Sequence, residues 1–361
     1  MKSIIKQKYS IFFGSLGYVK LNELIKRKKY NKILILSDFN TEKYCLSHFQ
    51  NQLLTTHPIV ENEIINNLFY YSVTPGEISK NISESVKIIN FLISNGFKRN
   101  SLIINLGGGL ITDLGGFVAS IFMRGIEFVN ISTSLLGMID ASIGGKTGVD
   151  LNNLKNIIGS FKFAKYILID PLFLSTLSKR QMNSGFSEMI KHSLLDSKDH
   201  WKKIKLISHH SNISEELIYD SINTKINIIE NDPKESNIRK FLNFGHTLGH
   251  AIETYYLESN KEILHGEAIL IGLILESFLS HKILDLELKD VLEIKDFILK
   301  FSKKISFSKQ DISRIIELLK FDKKNKDENA RFVLLKEIGK PSFDNLVEIK
   351  DIMEAFQFYD N

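Results

Sequence analysis

The segment SLIINLGGGLITDLGG, residues 101–116, decides the fold class of the chain. An aliphatic run typical of a buried strand leads directly into three glycines, and apolar residues at helical spacing begin near Ile111. Glycines let a backbone approach an anion closely, and the N–H groups at the start of a helix favour a phosphate. The segment therefore predicts a strand–turn–helix unit suited to a pyrophosphate, although a plain tight turn explains the glycines equally well.

The glycine spacing differs from the GxGxxG motif of common dinucleotide-binding proteins. In that motif an acidic residue follows the glycines, whereas here Asp38 ends an earlier predicted strand. The glycine spacing and the order of the elements therefore depart from the usual dinucleotide fingerprint, and a plain tight turn remains an equal alternative.

The rest of the chain shows two patterns, and its length of 361 residues favours two domains. Residues 1–177 alternate short apolar runs with helical patterns, which predicts a Rossmann-like layered α/β domain with a mostly parallel sheet. The clearest strands are KILILS, LFYYSV, SLIINL and EFVNIS. Residues 178–361 predict a mainly α-helical domain, with one strand or hairpin at RFVLLKEIG, residues 331–339.

Composition narrows the class of protein. The hydrophobic fraction is 43% and the charged fraction 25%, which is ordinary for a folded soluble enzyme. The net charge of +5 is spread along the chain, unlike the basic stripe of a nucleic-acid-binding protein. Cys45 is the only cysteine, which excludes an internal disulfide and a zinc site of several thiolates.

The distribution of charged residues among the apolar stretches predicts where in the cell the protein is located. Lys6 and Lys8 interrupt the first apolar run before it reaches the length of a signal peptide. No uncharged apolar stretch approaches the length of a membrane-spanning helix. We therefore expect a cytoplasmic protein that binds neither a membrane nor a nucleic acid.

A second glycine cluster, DASIGGKTGVD at residues 140–150, places Lys146 directly after two glycines, and Lys155 and Asn156 follow shortly. These side chains suit an anionic substrate, while a solvated lysine beside a loop is the simpler explanation. The cluster is not a P-loop, because Ile139 occupies the place of the first glycine. ATP hydrolysis is therefore not predicted.

The segment NFGHTLGHAIE, residues 243–253, concentrates titratable groups. If it is helical, His246, His250 and Glu253 lie on one face. The histidine pair has chelating spacing, but Thr247 stands where an HExxH metalloprotease has its glutamate. The pattern therefore indicates a metal or acid–base site without the protease mechanism.

Two further candidate ligands, Glu188 in SGFSEMIKH and His265 in LHGEA, lie in apolar helical contexts. A set of two histidines and one carboxylate leaves a coordination position open for water or substrate, as catalytic zinc sites require. A lone histidine on an apolar face is more often a satisfied core residue. The three segments together favour a metal site.

Taken in order, these motifs resemble those of the 3-dehydroquinate synthases, a family in the sugar phosphate cyclase group. The resemblance covers most of the chain. Its motifs are PGEISK, GGGLITDLGG, FMRG, TSLLGMIDASIGGKTGV, LKNIIGSF, SGFSEMIKH, NIRKFLNFGHTLGHAIE, LHGEA and FDKK.

The resemblance implies a shikimate-pathway reaction of aromatic amino acid biosynthesis. In it a carbon–oxygen lyase converts 3-deoxy-arabino-heptulosonate 7-phosphate to 3-dehydroquinate and phosphate. NAD and a divalent metal, usually zinc with cobalt as an alternative, are the implied cofactors. A hydride would leave the substrate's C5 and later return, phosphate would be eliminated, and an intramolecular aldol reaction would close the ring.

The resemblance also implies roles for individual residues. The metal ligands would be Glu188, His246 and His265, and His250 would relay the proton of the C5 hydroxyl without binding the metal. Arg239 suits bidentate recognition of a carboxylate. The residues implied at the substrate, besides His250, are Lys146, Asn156, Lys191, Lys225, Glu235, Arg239, Asn243 and one of Lys323 and Lys324.

For NAD, the resemblance implies contacts along the first domain. They are Asp38, Asn40, Pro75, Gly76, Glu77, Lys80, Gly108, Gly109, Asp113, Thr133, Ser134, Asp140, Lys146, Lys155, Phe173, Leu174, Ser175 and Thr176. Ser134 stands where the family commonly has threonine, and Ala141 where it often has serine. Arg124 matches an arginine that reaches the neighbouring subunit's site, which implies a homodimer.

Three other functions remain as alternatives. A cyclase of the same group acting on a sugar phosphate would lack a substrate carboxylate, which Arg239 and Lys225 argue against. A metal-dependent polyol dehydrogenase would share the fold but release NADH. A catalytically inactive binding protein would retain neither metal nor NAD.

Overall fold

The computed structural model describes residues 3–55, 67–151, 154–209, 213–232, 235–259, 261–320 and 330–361. The chain divides into two compact units, Met1–Ser178 and Lys179–Asn361. The boundary predicted after residue 177 differs from this division by one residue. Within the described ranges no helix combines the length and the apolar character needed to cross a membrane.

The first unit is built on a seven-stranded sheet of order β1-β2-β9-β6-β5-β3-β4, and β7 and β8 form a separate antiparallel hairpin. Neighbouring strands of the large sheet are parallel except for β1 and β2. The strands are β1 (Ser3–Ile5), β2 (Ser10–Phe13), β3 (Ile33–Asp38), β4 (Leu68–Val73), β5 (Leu102–Gly107), β6 (Glu127–Ser132), β7 (Lys146–Leu151), β8 (Leu154–Phe161) and β9 (Tyr166–Ile169). The helices are α1 (Gly14–Lys28), α2 (Phe39–Thr55), α3 (Ile82–Ser94) and α4 (Gly109–Ile121).

The four strands predicted from sequence are confirmed as β3, β4, β5 and β6. Every residue of β5 is buried, as its continuous aliphatic run predicts for a central parallel strand. The chain goes from β3 to β4 on one side and later returns to place β5 on the other side of β3. Ligands of open parallel sheets bind beyond the carboxyl ends of the strands at such a reversal, so the ends of β3 and β5 are the expected binding edge.

The second unit is mainly helical, as predicted. Its helices are α5 (Lys179–Asp196), α6 (Lys198–Lys205), α7 (Glu215–Asn231), α8 (His246–Glu258), α9 (His265–Leu284), α10 (Leu288–Leu299), α11 (Lys309–Lys320) and α12 (Ile349–Asp360). The late strand or hairpin predicted at residues 331–339 is confirmed as the strand β10 (Arg331–Glu337), and its partner β11 (Lys340–Leu346) lies just beyond the predicted segment.

Helix α9 forms the centre of this unit, where it packs against α5, α8, α10, α12 and β10. It is apolar on all sides, as expected for a helix surrounded by others. Its contact with α8 is close because glycines meet there. A Cβ added to Gly272 would lie 2.0 Å from the carbonyl oxygen of Gly245. The start of α8 therefore lies directly against the backbone of α9 at Gly272.

Candidate active site

Three helices of the second unit bring the predicted metal ligands together. Glu188 lies within α5, while His246 and His265 are the first residues of α8 and α9. The Nε2 atom of His246 is 3.4 Å from Oε1 of Glu188, and the Nε2 atom of His265 is 3.7 Å from the same oxygen. Two imidazole nitrogens and a carboxylate oxygen thus converge, which is a donor set that zinc and similar divalent ions accept.

Partners behind the two imidazole rings orient them toward this point. The Nδ1 atom of His246 lies 3.0 Å from the carbonyl oxygen of Phe244, and the Nδ1 atom of His265 lies 3.4 Å from Oε2 of Glu253. A ring that donates from Nδ1 keeps the lone pair of Nε2 for a metal ion. Glu253, which shares a helix with His246 and His250, therefore serves as a support for His265.

At Glu188 and His246 the surrounding charges favour the protonation states that a metal requires. Burial would raise the pKa of Glu188, but the ammonium of Lys191 and the ring of His246 hold this pKa well below its ordinary value. Burial and Lys191 lower the pKa of His246. An ionised carboxylate and a neutral imidazole are the ligand forms that bind metal.

The environment of Glu188 also suits a bound cation. Its side chain is completely buried, and among the described residues its two oxygens accept no hydrogen bond of ordinary geometry. Lys191 forms an ion pair with it from the next turn of α5. Burial lowers the pKa of His265, yet Glu188 and Glu253 raise it to about 9, so this ring acts as a cation between two carboxylates. A divalent ion would supply that positive charge instead.

His250 lies one turn after His246 and is exposed. Its ring centre is 5.1 Å from that of His246 and 5.6 Å from that of His265. One nitrogen from each of the three rings lies within 4.8 Å of the others. The position thus suits a proton relay beside the metal, and it also permits His250 to be a ligand.

Other predicted substrate residues lie in the turn Ile238–Asn243, directly before α8, or in the part of the chain that leads to this turn. Arg239 and Lys225 are buried cations, with 3% and 6% of their surfaces exposed. The amide of Asn243 donates to Oε1 of Glu235 over 3.3 Å. These four residues lie in one unit with the metal ligands, whereas the predicted residues Lys323 and Lys324 lie outside the described residues.

Asp232, which sequence reasoning missed, organises this turn. Its carboxylate accepts hydrogen bonds from the backbone N–H groups of Ser236, Asn237 and Arg239. Burial opposes ionisation, but these donors lower the pKa of Asp232 to about 2. A polar aspartate just after a helix is a common signal for such a turn, so the residue type was available as a clue.

In the first unit, the predicted NAD residues collect beyond the carboxyl ends of parallel strands. Asp38 ends β3, and Gly108 and Gly109 follow β5. The others in this arrangement are Asn40 after β3, Pro75, Gly76, Glu77 and Lys80 after β4, Thr133, Ser134 and Asp140 after β6, and Phe173, Leu174, Ser175 and Thr176 after β9. Because all five strands are parallel, these positions share one edge of the sheet.

The turn after β5 requires glycines for close packing, and the same glycines leave room for an anion. A Cβ on Gly108 would lie 2.9 Å from Oγ of Ser134, and one on Gly109 would lie 3.2 Å from Cβ of Ala141. The segment after β6 thus approaches the turn closely. Gly108 is also the N-cap of α4 and has no side chain of its own, so the first N–H groups of the helix suit a phosphate.

Two acidic residues of this edge also have structural partners. The carboxylate of Asp38 accepts hydrogen bonds from the N–H groups of Asn40 and Thr41 and from the hydroxyl of Thr41. Asp113 forms an ion pair of 2.8 Å with Lys80. Burial would lower the pKa of Lys80, but Asp113 raises it above its ordinary value. Lys80 therefore ties the turn after β4 to helix α4.

The remaining predicted residues of the first unit lie on exposed segments. Lys146 begins β7, and Lys155 and Asn156 lie in β8. Lys146 is exposed and directly follows a loop, so its position is consistent both with a substrate contact and with the simpler alternative of a solvated lysine beside a loop. Arg124 lies in a short turn after α4 and has a left-handed backbone with φ of 65°.

The first unit has a parallel sheet with a glycine-rich binding edge, and the helical unit holds a His/His/carboxylate cluster. These two features define a class of nucleotide- and metal-dependent α/β enzymes. Comparison with models of protein families identifies one family within this class. The model described as 3-dehydroquinate synthase N-terminal matches residues 70–184, and the one described as 3-dehydroquinate synthase C-terminal matches residues 185–325. The chain belongs to the 3-dehydroquinate synthase family.

Individual proteins agree with this assignment. The 3-dehydroquinate synthase of Parabacteroides distasonis is 36% identical over 345 residues, which are 94% of each chain. A 2-deoxy-scyllo-inosose synthase complexed with carbaglucose-6-phosphate, NAD+ and Co2+ has a TM-score of 0.84 at 23% identity, over 97% of this chain and 96% of that one. A 2-epi-5-epi-valiolone synthase from Streptomyces hygroscopicus with NAD+ and Zn2+ has a TM-score of 0.80 at 23% identity, over 100% and 99%. At these identities the two structures show a shared fold.

Proposed function

We propose that this chain is a 3-dehydroquinate synthase, which converts 3-deoxy-arabino-heptulosonate 7-phosphate to 3-dehydroquinate and phosphate. The observation that carries the proposal is the meeting of Glu188, His246 and His265 in a chain of this family. The cofactors are NAD and a divalent metal, with zinc first and cobalt as an alternative. Both structural relatives bind NAD together with one of these metals, which supports the choice.

When bound, NAD supplies a reversible hydride acceptor and the divalent metal supplies a Lewis acid that polarises substrate oxygens. Glu188, His246 and His265 hold the metal. His250 takes the proton from the substrate hydroxyl that is oxidised. Lys191, whose position is fixed by its ion pair with Glu188, lies near the substrate hydroxyls.

The same proposal assigns the substrate anions to cations and amides. Arg239 and Lys225 bind the carboxylate and phosphate, with Asn243 held in place by Glu235. Lys146 and Asn156 of the first unit, and one of Lys323 and Lys324, complete the set by the family resemblance. Two buried cations suit an acidic substrate, because Arg and Lys side chains bind carboxylate and phosphate groups through charge-assisted hydrogen bonds.

Chelation tests the proposal directly. The purified protein is mixed with NAD, zinc and the heptulosonate phosphate, and phosphate and dehydroquinate are measured. We expect equal amounts of both products, loss of both with a chelator, and recovery when zinc is restored. NADH that accumulates with turnover would identify a dehydrogenase, and turnover of a sugar phosphate that lacks a carboxylate would identify another cyclase. A protein that retained neither metal nor NAD would be an inactive binding protein.

We further propose a homodimer in which Arg124 acts at the neighbouring subunit's site. Arg124 is exposed on a turn beside the exposed apolar side chains of Met123 and Ile121, which suits a surface that meets another chain. Many enzymes form such symmetric pairs.

Mixing two inactive variants tests this arrangement. Arg124→Ala and His250→Ala are each expected to be inactive alone. If Arg124 acts across the interface, a mixed dimer has one complete site, and random pairing restores about a quarter of the wild-type activity. Recovery that stays at zero after verified subunit exchange would place Arg124 in its own subunit's site.

A further inference from the structure

A carboxylate that no part of the proposed reaction uses lies beneath the start of helix α8. Glu276 belongs to α9 and is completely buried. Its Oε2 accepts a hydrogen bond of 2.6 Å from the N–H of Gly245, and its Oε1 accepts one of 3.0 Å from the N–H of Leu248. Both of its oxygens are thus committed to the backbone of a neighbouring helix.

Helix α8 needs an acceptor at this place. The first N–H groups of any helix have no partner within the helix, and a Ser, Thr, Asp or Asn side chain usually accepts from them. Here the N-cap is Gly245, which has no side chain and has a left-handed backbone with φ of 78°. Glu276 supplies the acceptor from α9.

The packing of the two helices makes this bond possible. Gly272 lies one turn before Glu276 on α9, where a Cβ would lie 2.0 Å from the carbonyl oxygen of Gly245. The missing side chain lets the backbone of α8 approach, and the carboxylate then reaches its N–H groups. Gly272 therefore allows the close approach of the two helices, and Glu276 accepts the hydrogen bonds that join them.

The contact lies beside residues of the proposed metal site. His246 is the residue after Gly245, and His250 lies one turn further along α8. His265 begins the helix that carries Glu276. We propose that Glu276 is a positioning residue of the metal centre, which fixes the first turn of α8, and with it His246, against the helix that holds His265.

The energetics of the site support a geometric role. Burial raises the pKa of Glu276 to about 8, even though the N–H groups of Leu248, Gly245 and Thr247 lower it. Burying a carboxyl is costly, but an apolar side chain at this position would leave the N–H groups of Gly245 and Leu248 without their acceptor. The carboxyl therefore fixes a specific arrangement of the two helices.

Cobalt binding tests the inference, which rests on the proposed metal site. Glu276→Gln keeps the volume but replaces one acceptor oxygen by an NH2 group that faces a backbone donor. We expect its dissociation constant for Co2+ to rise by about 10- to 100-fold, the usual effect of losing a support of a metal ligand. The visible absorption of the bound Co2+ should also change, because the placement of His246 changes.

Ser280→Ala provides the matched control. Ser280 lies one turn after Glu276 and is buried. Its hydroxyl donates to the backbone carbonyl of Glu276 and accepts a 2.9 Å hydrogen bond from the N–H of Leu335, and neither bond reaches α8. Its loss should lower the Tm and leave the affinity and spectrum of Co2+ unchanged. If Glu276→Gln behaves like this control, Glu276 is a structural residue and the inference is overturned.

Two further results keep the test decisive. If Glu276→Gln does not fold, Glu276→Asp retains the carboxyl group but shortens the reach by one methylene, and it should show the same weakening of Co2+ binding. Wild-type affinity in that variant overturns the inference. A wild-type chain that binds no Co2+ overturns the proposed metal site as well, whereas wild-type binding with unaltered variants overturns only the role of Glu276.

Discussion

Replacement of His250 by alanine is expected to abolish turnover while the protein keeps its metal. In the proposed mechanism His250 moves the proton of the substrate hydroxyl, and positioned acid–base groups contribute about 10²- to 10⁴-fold to a rate. We expect kcat to fall by a factor in that range. The metal content of the purified variant, measured by elemental analysis, should equal that of the wild type.

The His246→Ala variant is the matched control, because it removes the neighbouring histidine of the same helix. Its ring faces Glu188 and is supported at Nδ1, so its loss should remove both metal and activity. The three histidine nitrogens lie close enough for His250 to be a ligand. If His250→Ala loses its metal as well, the division of roles between the two histidines is wrong.

Much of this arrangement could be predicted from the sequence, because it depends on local patterns. Aliphatic runs predicted β3 to β6, and helical spacing predicted the second unit. The strand order could not be predicted in this way, since it depends on contacts between distant segments. The reversal beside β3, which makes one edge of the sheet a binding edge, is visible only in the fold.

The candidate metal site shows the same limit. Glu188, His246 and His265 were recognisable as titratable residues in apolar segments, and the family resemblance implied their shared role. The supports behind them were missed, because Phe244 acts through its backbone and Glu276 through a helix contact. Glu276 did carry a signal, since it is a single acidic residue within the apolar run AILIGLILESFLS. Its partners on α8 could not be inferred from that signal.

Replacement of Glu188 by glutamine is expected to damage the protein in two separable ways. The variant loses a ligand, so its zinc affinity should fall by more than the roughly 100-fold that follows from losing a supporting residue. It also leaves the Lys191 ammonium, which is 2% exposed, without its carboxylate partner. Breaking a buried ion pair from one side costs about 3–5 kcal/mol, so we expect the free energy of unfolding of the metal-free protein to fall by about that amount.

The double variant Glu188→Gln, Lys191→Met separates the two effects. Methionine fills similar space without a charge, and replacing a buried ion pair by uncharged side chains is often neutral for stability. Denaturant unfolding in chelator should therefore return to within about 1 kcal/mol of the wild-type value. Zinc binding, measured by competition with a chromophoric chelator, should stay weak, because methionine cannot replace the lost ligand oxygen. Zinc affinity that recovered with stability would show that Glu188 shapes the site through Lys191 alone and does not bind the metal.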